Sequence, residues 1–352
     1  MDKDEILSAM LEEVSNEHDK SPGSFIYDAL APAATQFAKT DDSIDAVIDK
    51  LSIENLTGDE LGQRVKERTG ITRKAATNAT GSVTVTGTGT INTGDLFETG
   101  GGTQFESTET KSIVSSGTVA IKAVIAGSGG NVASGTITLF PVTLTGFTAV
   151  TNPDPTQDGF EAESDADLLE RYYDRIQTPA TSGNKSHYKN WAKEVIGVGD
   201  ARIIPLWNGN NTVKIIIIDS NKTPASPTIV TSAQDYIDPG VTGLGDGASQ
   251  IGAFATVVSA TGVNINVVVT IALSSGYTQQ QATDNITVNL TQLLKDIAFV
   301  ESIVSYAKVG AAILSSDGVE DYSGLTVNGS TVNVSIGNEE VAVLGTVTVN
   351  VP

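Results

Sequence analysis

Four consecutive isoleucines at positions 215–218 constrain this chain more than any other feature. Successive side chains of a strand point to opposite faces, so such a run needs apolar cover on both sides. The surrounding residues, 163–219, read as helix, short loop, helix, strand, tight turn and strand. Ser164 stands at an N-cap position, with Asp167 three residues on to complete a capping box. Leu168, Leu169, Tyr172, Tyr173 and Ile176 then share one helical face, and Pro179 is expected to stop the helix. After a polar link at 181–185, Ser186 is expected to cap a second helix carrying Tyr188, Trp191, Ala192, Val195 and Ile196 on one face. Gly197 is its expected left-handed C-cap. Residues 201–207 and 212–219 follow as strands, joined by an Asn208-Gly209 hairpin turn.

None of these residues forms a catalytic set, yet together they carry a family likeness. The run ESDADLLERYYDRIQTPATSGNKSHYKNWAKEVIGVGDARIIPLWNGNNTVKIIIID resembles the baseplate J-like family. Its ESDxxLxxRY start, SGNxxxYxxWAxxVxGV middle and WNG turn are specific in combination. The stretches GSVTVTGTGTINTGDLFETGGGTQF, AGSGGNVASGTI and QIGAFATVVSATGVNINVVVTIAL resemble other parts of the same family. Its members are wedge proteins in the baseplates of contractile-tailed phages and phage-tail-like bacteriocins. The resemblance implies assembly through an intersubunit helical bundle. A wedge would contain a second copy of the chain and a smaller tail protein. Neighbouring wedges would ring a central hub, and the ring's rearrangement would trigger contraction of the sheath.

The 352 residues suffice for several domains, because single cores stop growing at about 250–300 residues. The 35 glycines and 5% aromatic content suit strand-rich, turn-rich modules. With no cysteine, neither disulfides nor thiolate metal sites can hold the fold together. A formal charge of −21 would repel phosphate backbones, which argues against nucleic acid as a partner. The acidic start MDKDEILSAMLEE lacks a signal-peptide core, and no apolar run is long enough to span a membrane. A soluble chain made in the bacterial host cytoplasm is therefore expected, its destination a tail baseplate in a virion or tailocin particle.

Residues 2–18 predict a first helix, and Ser21-Pro22-Gly23 a break. Beyond it, Ile26, Leu30, Ala33, Phe37, Thr40, Ile44, Val47 and Leu51 recur at alternating steps of four and three. That is the 3.5-residue period of a helical seam, with Thr40 its polar member and Pro32 expected to kink or restart it. Each apolar side chain contributes about 1.5–3 kcal/mol on burial, so the seam must be covered by something. Either it folds back on the first helix or on 56–68, or it packs against other subunits. Ile26, Leu30, Phe37, Ile44, Val47 and Leu51 are the candidate interface residues. Residues 58–69 predict a short helix closed by Gly70.

From 79 to about 150 the chain is rich in Thr, Val and Gly with alternation of period two, as at Val83/Val85, Val119/Ile121/Ala123 and Ile137/Leu139/Val142. This predicts a β-sandwich or a small barrel. Residues 152–163 (NPDPTQDGFEAE) read as a solvated linker; as a calcium loop they would lack the bidentate Glu at the twelfth position. Ser226-Pro227 predicts a helix start reaching Ile237. Strands are expected at 254–259 and 263–273, then a helix capped by Thr278 using Ala282, Ile286, Leu290, Leu293, Leu294 and Ile297. The remainder predicts strands, with a hairpin at Asn328-Gly329 and an edge strand at the end.

The glycine runs Gly87-Thr88-Gly89 and Gly243-Leu244-Gly245 lack the strand-turn-helix setting of a nucleotide loop. His18 and His187 have no metal-site partner in sequence, and Asp167, Glu170 and Asp174 interleave with Arg171 and Arg175 as ordinary ion pairs. No enzyme, cofactor or metal site is therefore expected. A multidomain α+β chain is expected: a helical segment at 1–75, a Gly/Thr-rich sandwich or barrel-like domain at 76–155, a central α+β domain at 156–260 and a C-terminal α+β domain at 261–352. The competing reading is a carbohydrate-binding or adhesive β-protein, against which stand the few aromatics and the helical segments.

Overall fold

A computed structural model describes residues 1–177 and 180–351. Pro179, the expected helix stop, lies outside the described residues. The chain divides into two compact units, Met1–Arg73 with Ser164–Tyr172, and Lys74–Glu163 with Tyr173–Pro352.

The first unit contains α1 (Lys3–Glu12), α2 (Phe25–Asp49) and α3 (Gly58–Thr69), together with the start of a later helix. Asp2 caps α1 through a capping box with Glu5. The helix ends at Glu12 rather than near His18, because the residues beyond it use their own side chains: Ser15 Oγ accepts from Glu17 N at 3.3 Å, and Asp19 from Ser21 N at 2.9 Å. Such local bonds give the backbone an alternative to the helical ladder. Pro32 neither stops nor restarts α2, which is continuous through it. α3 closes at Gly70 with φ 76°, as expected. Asp165 then ties the unit together, accepting from Gly58 N at 3.0 Å and pairing with Arg73 at 2.5 Å.

The second unit opens with a barrel-like sheet. Its strands are β1 (Thr80–Gly87), β2 (Gly89–Ile91), β3 (Leu96–Thr99), β4 (Gln104–Ser107), β5 (Lys111–Ile113), β6 (Ser116–Ala123), β7 (Ile137–Leu139) and β8 (Phe147–Thr151). Six of them form the order β7-β3-β4-β6-β1-β8, and its two end strands adjoin, so the sheet nearly closes on itself. β2 and β5 make a separate ribbon. The expected alternation puts Val83, Val85, Val119, Ile121 and Ala123 inside with Phe97 and Phe105. Only Ile137 of the last predicted trio is buried; Leu139 and Val142 face outward because β7 ends at Leu139. Gly87, at φ 140°, marks a bulge where a Cβ would sit 2.1 Å from the Gly146 carbonyl oxygen, so a side chain is excluded.

The expected linker at 152–163 is instead knitted into the barrel. Asn152 is fully buried; its Oδ1 accepts from Ile137 N at 2.9 Å, and its Nδ2 donates to Ala133 O at 2.8 Å and Asp154 O at 3.0 Å. Buried Thr156 donates to Gly130 O at 2.6 Å and accepts from Val132 N at 2.8 Å. Polar composition misled here because these groups find backbone partners inside rather than water outside.

Next come α4 (Asp165–Gln177), α5 (Lys185–Glu194), β9 (Val198–Pro205), β10 (Thr212–Asp219), α6 (Pro227–Ile237) and β11 (Phe254–Ser259). Ser164 caps α4 as expected, Asp167 N donating to its Oγ at 3.1 Å, but the Asp167 carboxylate accepts from the Ser164 hydroxyl at 2.7 Å rather than from its backbone N–H. Asn184, not Ser186, caps α5, accepting from His187 N at 2.9 Å. The helix ends into extended backbone at Val195, leaving Ile196 exposed and Gly197 two positions past the cap. β10 is the middle strand of the order β11-β10-β9, parallel to β11 and antiparallel to β9. Its isoleucines are covered on both faces, as their run requires. Ile215 and Ile217 pack with Tyr188, Ala192, Ile229 and Ala233; Ile216 and Ile218 pack with Ala260, Ala298 and Val341. The β9–β10 connection is not a two-residue turn. It spans 206–211 with Leu206, Gly209 and Asn211 at positive φ, and Thr212 Oγ1 closes it by donating to Gly209 O at 2.7 Å.

The last portion holds β12 (Thr261–Leu273), α7 (Gln279–Ile297), β13 (Ile303–Val304), α8 (Tyr306–Leu314), β14 (Val319–Val327), β15 (Val334–Ser335) and β16 (Glu340–Asn350). Thr278 and Gln281 form a capping box at α7, whose Ala282, Ile286, Leu290, Leu294 and Ile297 are buried. β12 lies between antiparallel β14 and parallel β16, so β16 is an edge strand. Asn328 and Gly329 do turn the chain with positive φ, but the following β15 pairs with β13 rather than β14. Arg202 joins this portion to the central sheet, stacking 4.6 Å over the Phe299 ring and donating to Phe299 O at 3.1 Å and Asn338 O at 3.0 Å. The whole is an α+β multidomain fold with an N-terminal helical segment and a nearly closed barrel-like sheet.

Candidate functional site

The candidate site is the seam on α2. Ser24 starts the helix, its Oγ accepting from Tyr27 N at 3.3 Å. Pro32 supplies no N–H to the ladder, yet the chain stays helical on both sides of it. Thr35, Thr40 and Ser43 donate their hydroxyls back to the carbonyls of Ala31, Gln36 and Lys39, at 2.9, 3.0 and 2.8 Å. These polar side chains are therefore satisfied within the helix, and its apolar side chains carry the surface chemistry.

α1 packs against α2, with Leu7 and Ala34 the buried side chains, and the Met1 amino group donates to the Asp41 carboxylate. That bond is the main reason the amino group's pKa is raised. The seam is thereby split. Ile26 and Leu30 are half-buried. Phe37 is 57% exposed, Ile44 51%, Val47 63% and Leu51, just past the helix end, 65%. Ile48, which the four-and-three spacing passed over, is 55% exposed beside them. It was legible in principle, because it stands four residues after Ile44 on the same face. A row of large apolar side chains on one helix is the kind of surface that marks an interaction site.

Among the described residues, no group of three or more His, Asp or Glu is placed to hold a metal ion. The His187 ring lies 3.9 Å from that of Trp191, and its Nδ1 accepts from Gly183 N at 3.3 Å. Burial, then the nearby Arg175 charge, lowers its pKa, so neutral imidazole is favoured. Tyr236 donates to Glu194 at 2.5 Å; burial and that bond push its pKa up to about 12. Lys193, buried, pairs with Asp174 at 2.6 Å. These groups serve packing and pairing. No helix among the described residues is long and apolar enough to cross a membrane.

Comparison with known proteins gives the fold its class. The baseplate J-like barrel domain matches residues 82–159, the baseplate J-like central domain 180–259, and the baseplate J-like C-terminal domain 265–350. The chain belongs to the baseplate J-like family, and its role is that of a structural protein of a phage-type tail baseplate. Among its relatives is the phage-like element PBSX protein XkdT of Bacillus subtilis (strain 168), 33% identical over 343 residues, which cover 97% of this chain and 95% of that one. Baseplate protein gp47 of Escherichia phage Mu is 34% identical over 189 residues, half of each chain (50% and 51%). A chain in the cryo-EM structure of the anti-feeding prophage baseplate, 6-fold symmetrised, aligns with 97% of this chain and 90% of its own. The TM-score is 0.38 and the identity 11%.

Proposed function

We propose that the chain is a protomer of the baseplate wedge in a contractile phage or tailocin. It assembles there with a second copy of itself and a smaller tail protein. Wedges join into a ring around the central hub, and rearrangement of that ring is coupled to contraction of the sheath. The working divisions are the helical segment 1–75, the barrel 76–155, the central domain 156–260 and the subunit-association domain 261–352. The chain is made in the host cytoplasm and ends in the tail baseplate. There it associates with other baseplate proteins, a reading supported by its likeness to the baseplate protein of phage Mu.

The observation that carries this reading is the exposed seam of Phe37, Ile44, Val47 and Leu51 on a chain whose later portions match three baseplate J-like domains. Side chains of this kind stabilise by about 1.5–3 kcal/mol each when covered, and α1 leaves this end of the seam uncovered. Assembly supplies the cover, and mass action makes it depend on the concentration of partners.

Co-expression with the neighbouring tail genes tests it. Phe37→Asp combined with Ile44→Asp is expected to abolish co-purification of the tail proteins while the second unit keeps its wild-type melting transition. Unchanged complex formation would remove α2 from the interface.

A further inference from the structure

The sequence holds two Asn-Gly pairs, Asn208-Gly209 and Asn328-Gly329, and the fold holds their side chains differently. Asparagine is thermolabile because the backbone nitrogen of the next residue can attack its side-chain amide carbon. Glycine favours that attack, since it places no Cβ beside the nitrogen. Space does not separate the two pairs: a Cβ built on either glycine meets nothing within 4 Å. Both asparagines are also exposed. The difference lies in the side-chain amides.

Asn328 is clamped to β12 through three of its atoms. Its Oδ1 accepts from Asn266 N at 2.8 Å, and its Nδ2 donates to Asn264 O at 3.0 Å. Its own N–H donates to Asn266 O at 2.8 Å. The amide carbon can swing onto Gly329 N only after the bonds on both sides of it have opened. Asn208 has no such clamp. In its loop, Asn208 N donates to Thr212 Oγ1 at 3.1 Å, and that hydroxyl donates to Gly209 O at 2.7 Å. Both bonds run to backbone atoms of the pair. Among the described residues none bonds to the Asn208 side-chain amide, which can turn toward Gly209 N.

We infer that Asn208 is a site of spontaneous covalent modification, deamidation through a cyclic imide, and that Asn328 is spared by its clamp to β12. The Gly209 nitrogen bonds to Asn208 Cγ and gives up its proton. The bond from Cγ to Nδ2 breaks, and ammonia leaves with that proton. Water then opens the imide ring at one of its two carbonyls. Attack at Cγ gives aspartate; attack at the backbone carbonyl gives isoaspartate. Solvent water is the only co-reactant, and no atom is oxidised or reduced. Either product adds a carboxylate to a chain already at −21. Isoaspartate also reroutes the main chain through Cβ and Cγ, next to Trp207, whose ring lies 4.8 Å from Lys214 Nζ.

The test incubates the full chain in mildly alkaline buffer, folded and in parallel unfolded in urea, with peptide mapping by mass spectrometry over time. In the folded chain Asn208 is expected to convert at least about tenfold faster than Asn328, because a bonded amide reacts only through rarer openings. In urea the two rates should converge, since both pairs have the same chemistry once the clamp is gone. Methylation by an isoaspartate-specific methyltransferase should detect isoaspartate at position 208 beside aspartate. Conversion of Asn328 at the Asn208 rate in the folded chain would overturn the inference. So would a folded chain in which Asn208 is as inert as Asn328. Aspartate without isoaspartate at position 208 would refute the imide route.

Discussion

Asp219 ends the four-isoleucine strand, and its burial makes the stability of the second unit depend on pH. It is 8% exposed, with Thr223 N donating to one carboxylate oxygen at 2.7 Å and Thr223 Oγ1 to the other at 2.9 Å. Loss of water outweighs those bonds and raises its pKa from 3.8 to about 6. An acid whose folded pKa lies above its unfolded value binds more protons when folded. Stability therefore falls as pH rises from about 4 to about 6, and the loss is complete above that. At about 1.4 kcal/mol per pH unit, the charged carboxylate costs the fold about 3 kcal/mol at pH 8 and about 1 kcal/mol at pH 4.5. Asp219→Asn removes the titration and retains an acceptor for Thr223 N. The asparagine variant should gain about 2 kcal/mol relative to wild type between pH 4.5 and pH 8. Urea unfolding of both proteins at the two pH values measures this double difference, in which the other titrating groups cancel. A difference that does not change with pH, or that shrinks toward pH 8, would refute the reasoning.

Two further substitutions test the barrel seam and the second face of that strand. Asn152→Ala strips three hydrogen bonds from the barrel seam and leaves buried Ile137 N without its Asn152 acceptor. It should cost about 2–4 kcal/mol by urea denaturation; a loss below about 0.5 kcal/mol would restore the solvated-linker reading. Ile216→Ala empties a fully buried site facing Ala260 and Val341, for about 2–5 kcal/mol by the same measurement. A neutral result would mean that the second face of β10 is not a packed core.

The parts of the fold that were legible in the sequence are those where one physical requirement leaves one solution. Four isoleucines in a strand demand cover on both faces, and β10 has it. Ser226-Pro227, Thr278 with Gln281, and Gly70 at positive φ each mark a helix end by supplying or sparing a particular hydrogen bond. Misreadings fell where two local solutions compete. Asn184 and Ser186 are both good caps, and only the tertiary setting selects Asn184. Residues 14–20 have helix-compatible neighbours, but their Ser and Asp side chains bond locally instead. NPDPTQDGFEAE has the composition of a linker because Asn152 and Thr156 are polar, and composition does not register that carbonyls inside the barrel await them. At the site, the 3.5-residue period located the seam. How far α1 covers it depends on the register in which the two helices pack, with the Met1 amino group at Asp41, and the pattern of one helix does not set that register. The split between half-buried Ile26 and Leu30 and exposed Phe37 to Leu51 therefore came only from the structure.

The central claim is that α2 is left bare so that other chains can cover it. Amide hydrogen exchange across residues 37–51 tests it most directly, comparing the isolated chain with the same chain in purified tail particles. Exchange in this segment is expected to slow by at least roughly a hundredfold in the particle, as covered helices exchange through rarer openings. Equal exchange in both states would contradict the claim.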